Sequence, residues 1–321
     1  TEDAEIKFHY NIDESVSMAK TVSTTGKDLK NKKRKFSILS KKTKILFWSK
    51  TKYYLQDASR KIKIYDGKTN FSGENKNLYK VFSKNKNKWN KKCVSAIANM
   101  KDIYEFFYDT YHRYSYNCAK EKKKGKVIDV YINANYADNL FWLYDDKILA
   151  VGSGTGESND KWNQLQNNEK SKDANYYFED ISLVVADDLL CHEFGHAVFQ
   201  TNNKQKYSAE YGHYGVYGIV SEAYADVLAC FYDNNWTLGE KAAQNSEPAL
   251  RDIKNPSITK CASKISNDDN FYVDYTDFSN DKGGVHANST IVSRMFYLLN
   301  KRYGMNIKSL EKVWMYSVKQ I

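Results

Sequence analysis

Five consecutive residues, His192-Glu193-Phe194-Gly195-His196, combine the side chains best suited to chemistry in this chain of 321 residues. On a helix, positions four apart lie one above the other, about 6 Å along the axis. Both imidazoles can then reach one small cation, with Glu193 projecting beside it. Zinc accepts histidine nitrogen and carboxylate oxygen in a tetrahedron, and at catalytic sites it keeps one position open for water. A carboxylate next to the first ligand can take a proton from that water. Phe194, Ala197, Val198 and Phe199 mark the same helix as a buried one.

A third ligand should come from another buried helix. The stretch Gly218-Ile219-Val220-Ser221-Glu222-Ala223-Tyr224-Ala225-Asp226-Val227-Leu228 is apolar except for two acids four residues apart. Carboxylates on an otherwise apolar face are costly to bury unless something positive meets them. Glu222 as a metal ligand, with Asp226 accepting the free N–H of a ligand histidine, accounts for both. A third block, Asn280-Asp281-Lys282-Gly283-Gly284-Val285-His286, places paired glycines before a helix and Asp281 within reach to orient His286.

The elements that must position these residues fall into two halves. Phe36–Leu39, Ile45–Trp48, Tyr53–Leu55, Ile62–Tyr65 and Val127–Ile132 read as short strands. A helical period over Val94–Tyr111 interrupts them, with Ile97, Met100, Ile103, Phe106 and Phe107 on one side. Residues 152–175 form a polar loop. From Ile181 the pattern turns helical, over 181–200, 217–232, 285–300 and 307–320. The expected fold is α+β: a β-rich lobe over 1–205 that ends in the histidine helix, then an α-helical lobe over 206–321.

Composition removes other readings. No apolar run is long enough to span a membrane, and the first residues have neither the basic nor the apolar region of a signal peptide. The net charge of +10 comes from lysines interleaved with asparagine. No zinc-finger spacing or RNA-binding aromatic signature accompanies them, so the expectation is no nucleic-acid partner, with a basic face that attracts acidic ones. Cys93, Cys118, Cys191, Cys230 and Cys261 are too widely spaced for a disulfide framework or a cysteine zinc site. Cys191 and Cys230 sit in helical apolar segments; one pairing among the other three is left open.

Taken together, the three blocks resemble the thermolysin-like family of neutral zinc metalloendopeptidases. That family's signature Asp-Asn-Gly-Gly-Val-His-x-Asn-Ser-Gly is similar to the third block, with Lys282 and Thr290 as departures. Its Asn-Glu-Ala-x-x-Asp block is similar to the second, with Ser221 in place of Asn. Tyr53-Tyr54-Leu55-Gln56-Asp57, His112-Arg113-Tyr114-Ser115-Tyr116 and Asn139-Leu140-Phe141-Trp142 extend the likeness over about residues 30–320.

The resemblance implies an active-site cleft between the two lobes. It implies one catalytic zinc on His192, His196 and Glu222, Glu193 as general base, and Asp226 behind His192. It implies that His286, oriented by Asp281, donates to the oxyanion, and that Asn139 and the Leu140 backbone hold the peptide as an added strand. Arg251 would grip a substrate carbonyl and brace Glu222. Leu183, Leu189 and Leu250 would line a pocket for a bulky hydrophobic residue after the scissile bond. Tyr211, His213 and Tyr214 compete for the family's second oxyanion donor. Of its calcium ligands, Asp188, Asp233 and Glu240 match while Asn235 and Thr237 stand where acids are usual, implying one weak calcium or none. A secreted monomer acting on peptides or proteins, made with a propeptide, completes what the family implies.

Overall fold

In a computed structural model, the chain is described over residues 18–45, 48–66, 79–134, 139–152, 183–203, 213–240, 248–266 and 268–317. The first layer is an antiparallel sheet ordered β1-β2-β3-β7, from β1 (Met18–Lys27), β2 (Lys33–Ile45), β3 (Trp48–Tyr54) and β7 (Phe82–Ser83). Strand β2 alternates as a half-buried strand should: Phe36, Ile38 and Ser40 turn inward, and Lys33, Lys35 and Lys41 outward. The second sheet is mixed, ordered β4-β5-β8-β10-β9. It is built from β4 (Gln56–Asp57), β5 (Ile62–Asp66), β8 (Ile128–Ala134), β10 (Ile148–Gly152) and β9 (Leu140–Leu143), with β6 (Tyr79–Lys80) on β5. Strand β9 lies at its edge, antiparallel to β10.

Helix α1 (Lys91–Tyr111) lies against both sheets. Asn90 starts it, its side chain accepting the Lys92 N–H at 2.8 Å, and His112 ends it in the left-handed conformation. Val94, Ile97, Met100, Ile103 and Phe107 recur on the inward face and are all but fully buried. Each such side chain contributes roughly 1.5–3 kcal/mol by leaving water. Phe107 meets Phe194 edge-on at 5.2 Å, which seats the histidine helix α2 (Asp187–Asn202) on α1.

The helical layer adds α3 (Gly215–Asp233), α4 (Asp281–Lys301) and α5 (Ile307–Ser317). Trp314 of α5 stacks on Tyr224 of α3 at 5.2 Å, and its ring N–H donates to the Tyr224 carbonyl at 3.0 Å. The strands β11 (Thr237–Leu238) and β12 (Arg251–Asp252) pair Leu238 with Arg251 and so hold Arg251 over α3.

The α+β architecture agrees with the expectation from sequence, with several local differences. Ile45 closes β2 and pairs with Trp48, which opens β3, so the run Ile45–Trp48 spans a hairpin rather than one strand; residues 46 and 47 lie outside the described set. Strand β1 has almost no apolar residues and is recruited by its ladder with β2. Helix α4 begins irregularly, as detailed below. The polar loop expected at 152–175 lies outside the described residues beyond Gly152. No disulfide links the cysteines, and Cys118 Sγ packs 3.9 Å from Met315 Sδ.

Candidate metal centre

Helices α2 and α3 cross where Gly195 meets Ala225. A Cβ on Gly195 would stand 2.8 Å from the Ala225 Cα, so only glycine permits this approach. Gly195 lies between His192 and His196, and Ala225 between Glu222 and Asp226, so the close crossing brings both pairs to one point. His192 Nε2 lies 3.1 Å from His196 Nε2 and 3.4 Å from Glu222 Oε2; His196 Nε2 lies 3.2 Å from Glu222 Oε1. The edge of a tetrahedron with bonds of about 2.0–2.1 Å is roughly 3.3 Å, so this donor set fits a small divalent cation such as zinc.

The surrounding residues fix each ligand. His192 Nδ1 is 3.0 Å from Asp226 Oδ1, and His196 Nδ1 is 3.0 Å from Ser221 Oγ. Arg251 reaches Asp226 Oδ1 with Nε at 3.0 Å and Glu222 Oε2 with Nη2 at 3.5 Å. Asp226 is fully buried and also accepts from Ser289 at 3.3 Å and Ser293 at 3.5 Å. Burial opposes charge on His192, but Asp226 and Glu222 outweigh it and push it up to about 10. Burial likewise opposes ionisation of Glu222, yet His286, His196 and His192 hold it well below the usual carboxylate range. Carboxylates that can hold a proton on His192 can equally hold a cation at its Nε2.

Glu193 is placed differently. Trp142 of the edge strand β9 donates its backbone N–H to Glu193 Oε2 at 2.8 Å. Burial pushes the Glu193 carboxyl up, against the opposing pull of His196 and His192. It is therefore a stronger base than an exposed glutamate. Backbone groups alternate along a strand, and the Asn139 carbonyl accepts from Gly152 N–H on the β10 side. Leu140 and Trp142 accordingly turn their backbone groups toward the cleft.

Helix α4 opens with a left-handed turn. Asp281, Lys282, Gly283 and Gly284 have φ of 46°, 54°, 89° and 69°. A Cβ on Gly283 would lie 2.5 Å from the Tyr275 carbonyl oxygen. The turn swings Asp281 beneath the right-handed part of the helix, where its carboxylate accepts the N–H groups of His286 at 2.9 Å and Ala287 at 3.0 Å. The other oxygen takes His286 Nδ1 at 2.6 Å, leaving Nε2 3.6 Å from Glu222 Oε1. Glu222 and Asp281 raise the pKa of His286 against burial, favouring a form that donates from Nε2.

These residues surround a cleft of about 700 Å³. Asn139, Leu140, Leu189, Leu250 and Arg251 line it with the metal set, as does His213. Leu183 is wholly buried and is not among the lining residues. Tyr214 packs its ring on Phe278 at 5.5 Å and is not among the lining residues, and Tyr211 lies outside the described residues. Burial, with Lys282 and His196 nearby, holds His213 below the usual histidine value. At the calcium-type positions, Gly239 N–H donates to Asp188 at 2.6 Å. Glu240 accepts from Thr237 at 2.9 Å and from the Asn235 amide, so protein donors already point at these carboxylates; Asp233 is the last residue of α3. Ser221, Ser289, Ser293 and the Trp142 N–H are supports that the sequence reading did not assign. Ser221, Ser289 and Trp142 do lie within the blocks that carry the family resemblance, whereas nothing in the sequence singled out Ser293.

A two-histidine, one-glutamate metal centre with a buried carboxylate beside it, set between a sheet edge and a helical layer, defines a metallopeptidase-type site. Comparison with known proteins narrows the class. Residues 23–167 match the catalytic domain of thermolysin metallopeptidases, and 211–320 match their alpha-helical domain. The chain belongs to the thermolysin family of metallopeptidases. It is 28% identical over 220 residues to a bacillolysin of Bacillus amyloliquefaciens, covering 67% of this chain and 34% of that protein. It is 26% identical over 219 residues to neutral protease NprE of Bacillus pumilus, covering 67% and 59%. The chain thus spans about a third to three-fifths of the length of these relatives. The protealysin precursor, a metalloproteinase from Serratia proteamaculans, shares the fold with a TM-score of 0.57 at 18% identity, over 80% of this chain and 74% of that one.

Proposed function

We propose that the chain is an endopeptidase that cuts on the N-terminal side of bulky hydrophobic residues, with one zinc ion on His192, His196 and Glu222. The observation that carries this reading is the placement of Glu193, buried beside the ligand set and tied to the edge strand a peptide would extend. Zinc there would supply Lewis acidity toward water and the scissile carbonyl.

The chain's own residues would do the rest. A peptide adds to β9 through the outward backbone of Leu140, with Asn139 beside it. Leu189 and Leu250 receive the side chain after the bond. Glu193 takes a proton from the attacking water and hands it to the leaving amine, a task its raised pKa suits. His286, held by Asp281, donates to the developing oxyanion, and Arg251 braces Glu222 and meets a substrate carbonyl. Of the two candidates for a second donor among the described residues, His213 and Tyr214, His213 lines the cleft.

The proposed lobes are 1–205 and 206–321. Secretion, a monomeric state and a propeptide follow the family, and the protealysin neighbour is itself a precursor. Asp188, Asp233 and Glu240 would hold one weak calcium at most. Among the described residues no helix is long and apolar enough to cross a membrane. The test is Glu193→Gln, which should keep stoichiometric zinc and lower cleavage of peptides carrying Leu or Phe after the bond by several orders of magnitude. Retained turnover would refute the assignment.

A further inference from the structure

Lys282 stands where the family signature has asparagine, and its setting is built rather than incidental. It lies in the left-handed turn before His286, where a non-glycine residue is strained. Its ammonium sits 5.9 Å from the centre of the Tyr214 ring, and that ring in turn packs on Phe278. The stack holds one cation on the rim of the cleft, of which Lys282 is a lining residue. The adjacent Asp281 carboxylate is already occupied by His286 and two backbone N–H groups. Among the described residues no carboxylate forms an ion pair with Lys282.

Its position along the cleft follows from α2. Leu189, at the start of that helix, packs with Gly239 and Leu250. His196 lies seven residues, or about 10 Å, further along, beside Ser221, and Gln200 of the next turn also lines the cleft. His213, whose carbonyl crowds Gly218 of α3, shares this second end with Lys282. The metal set lies between the two ends. If the Leu189–Leu250 end receives the residue after the scissile bond, the Lys282 end receives residues before it.

We infer that Lys282 is a specificity-determining residue that selects an acidic side chain on the N-terminal side of the scissile bond; this rests on the endopeptidase reading. The test uses paired fluorogenic peptides with Leu after the bond, differing only by Glu or Gln at each of the preceding positions, and the zinc-loaded protein. At one position kcat/KM should favour Glu about three- to fivefold at low ionic strength, and added salt should shrink the ratio. Lys282→Gln should bring the ratio to about one, Lys282→Arg should keep it, and Lys282→Glu should turn the preference toward a Lys-containing peptide. A wild-type ratio of one at every position, or a ratio that survives Lys282→Gln, overturns the inference while leaving the endopeptidase intact. Absence of cleavage of every peptide by zinc-loaded wild type overturns the endopeptidase reading itself.

Discussion

Positive charge is handled in opposite ways by the outer face of the first sheet and by the interior of the helical layer. On the sheet, Lys27, Lys33, Lys35, Lys41, Lys50 and Lys52 all point outward with no acid among them, and the register sets Lys41 opposite Lys52 and Lys27 opposite Lys33. Two of them sit over rings: Lys41 over Tyr54 at 5.6 Å and Lys52 over Phe82 at 5.1 Å. In the interior, Arg251 is 6% exposed and is closed in by Asp226 and Glu222. Water makes the first arrangement cheap, since two like charges about 4 Å apart interact by only about 1 kcal/mol there. Burial makes the second mandatory: a charge removed from water must be met by a partner at a fixed place. Only the second arrangement can fix a metal ligand to a fraction of an ångström.

The comparison breaks most sharply at Asp226. Asp226→Ala leaves Arg251 and His192 without their partner and should destabilise the fold by about 3–5 kcal/mol in urea unfolding, with zinc affinity falling in parallel. Unchanged stability would mean that the interior is as tolerant as the sheet. Next comes Ser221→Ala, which removes the group opposite His196 Nδ1. Zinc competition should show a loss of about 10- to 100-fold, restored by Ser221→Asn.

Glu311 of α5 tests the interior with an acid that forms no ion pair among the described residues. It is buried, and burial pushes its carboxyl up against the weaker pull of Lys308. Because the folded value exceeds the unfolded one, the folded state holds its proton longer. Stability is therefore full below the ordinary glutamate pKa and falls as pH rises from there to the folded value. Glu311→Gln should raise Tm at about pH 8 and leave it nearly unchanged at about pH 4; an equal shift at both would assign the effect to packing. The smallest effect is on the sheet. Lys52→Glu, opposite Lys41, should stabilise by about 0.2–1 kcal/mol, and the gain should fade in high salt.

The helices could be read early because their apolar period is strong: α1, α2, α3 and α5 lie where Ile97, Phe194, Leu228 and Leu310 and their neighbours put them. Strand β1 could not, since Thr, Ser and Lys carry no period until β2 supplies a ladder. Strands β9 and β10 were missed as strands for a related reason. Their short apolar runs, Leu140–Leu143 and Ile148–Gly152, gain meaning only as neighbours in a sheet. The left-handed start of α4 was half legible: Gly283-Gly284 announced a special backbone, but Asp281 and Lys282 joining it did not.

At the site, sequence by itself determined the ligand types and their pairing on helices. A spacing of four residues puts His192 with His196, and Glu222 with Asp226, on one face whatever surrounds them. It also left room at Gly195 for another helix. Which helix arrives, and in what rotation, is a matter of tertiary packing. Only the Gly195–Ala225 crossing sets the nitrogens and carboxylate oxygens 3.1–3.4 Å apart. Only the second sheet's edge brings the Trp142 N–H to Glu193, and only the α3–α4 contact turns Ser289 and Ser293 onto Asp226. Local spacing is fixed by the geometry of one helix, whereas the meeting of residues from separate elements depends on the shapes that pack between them.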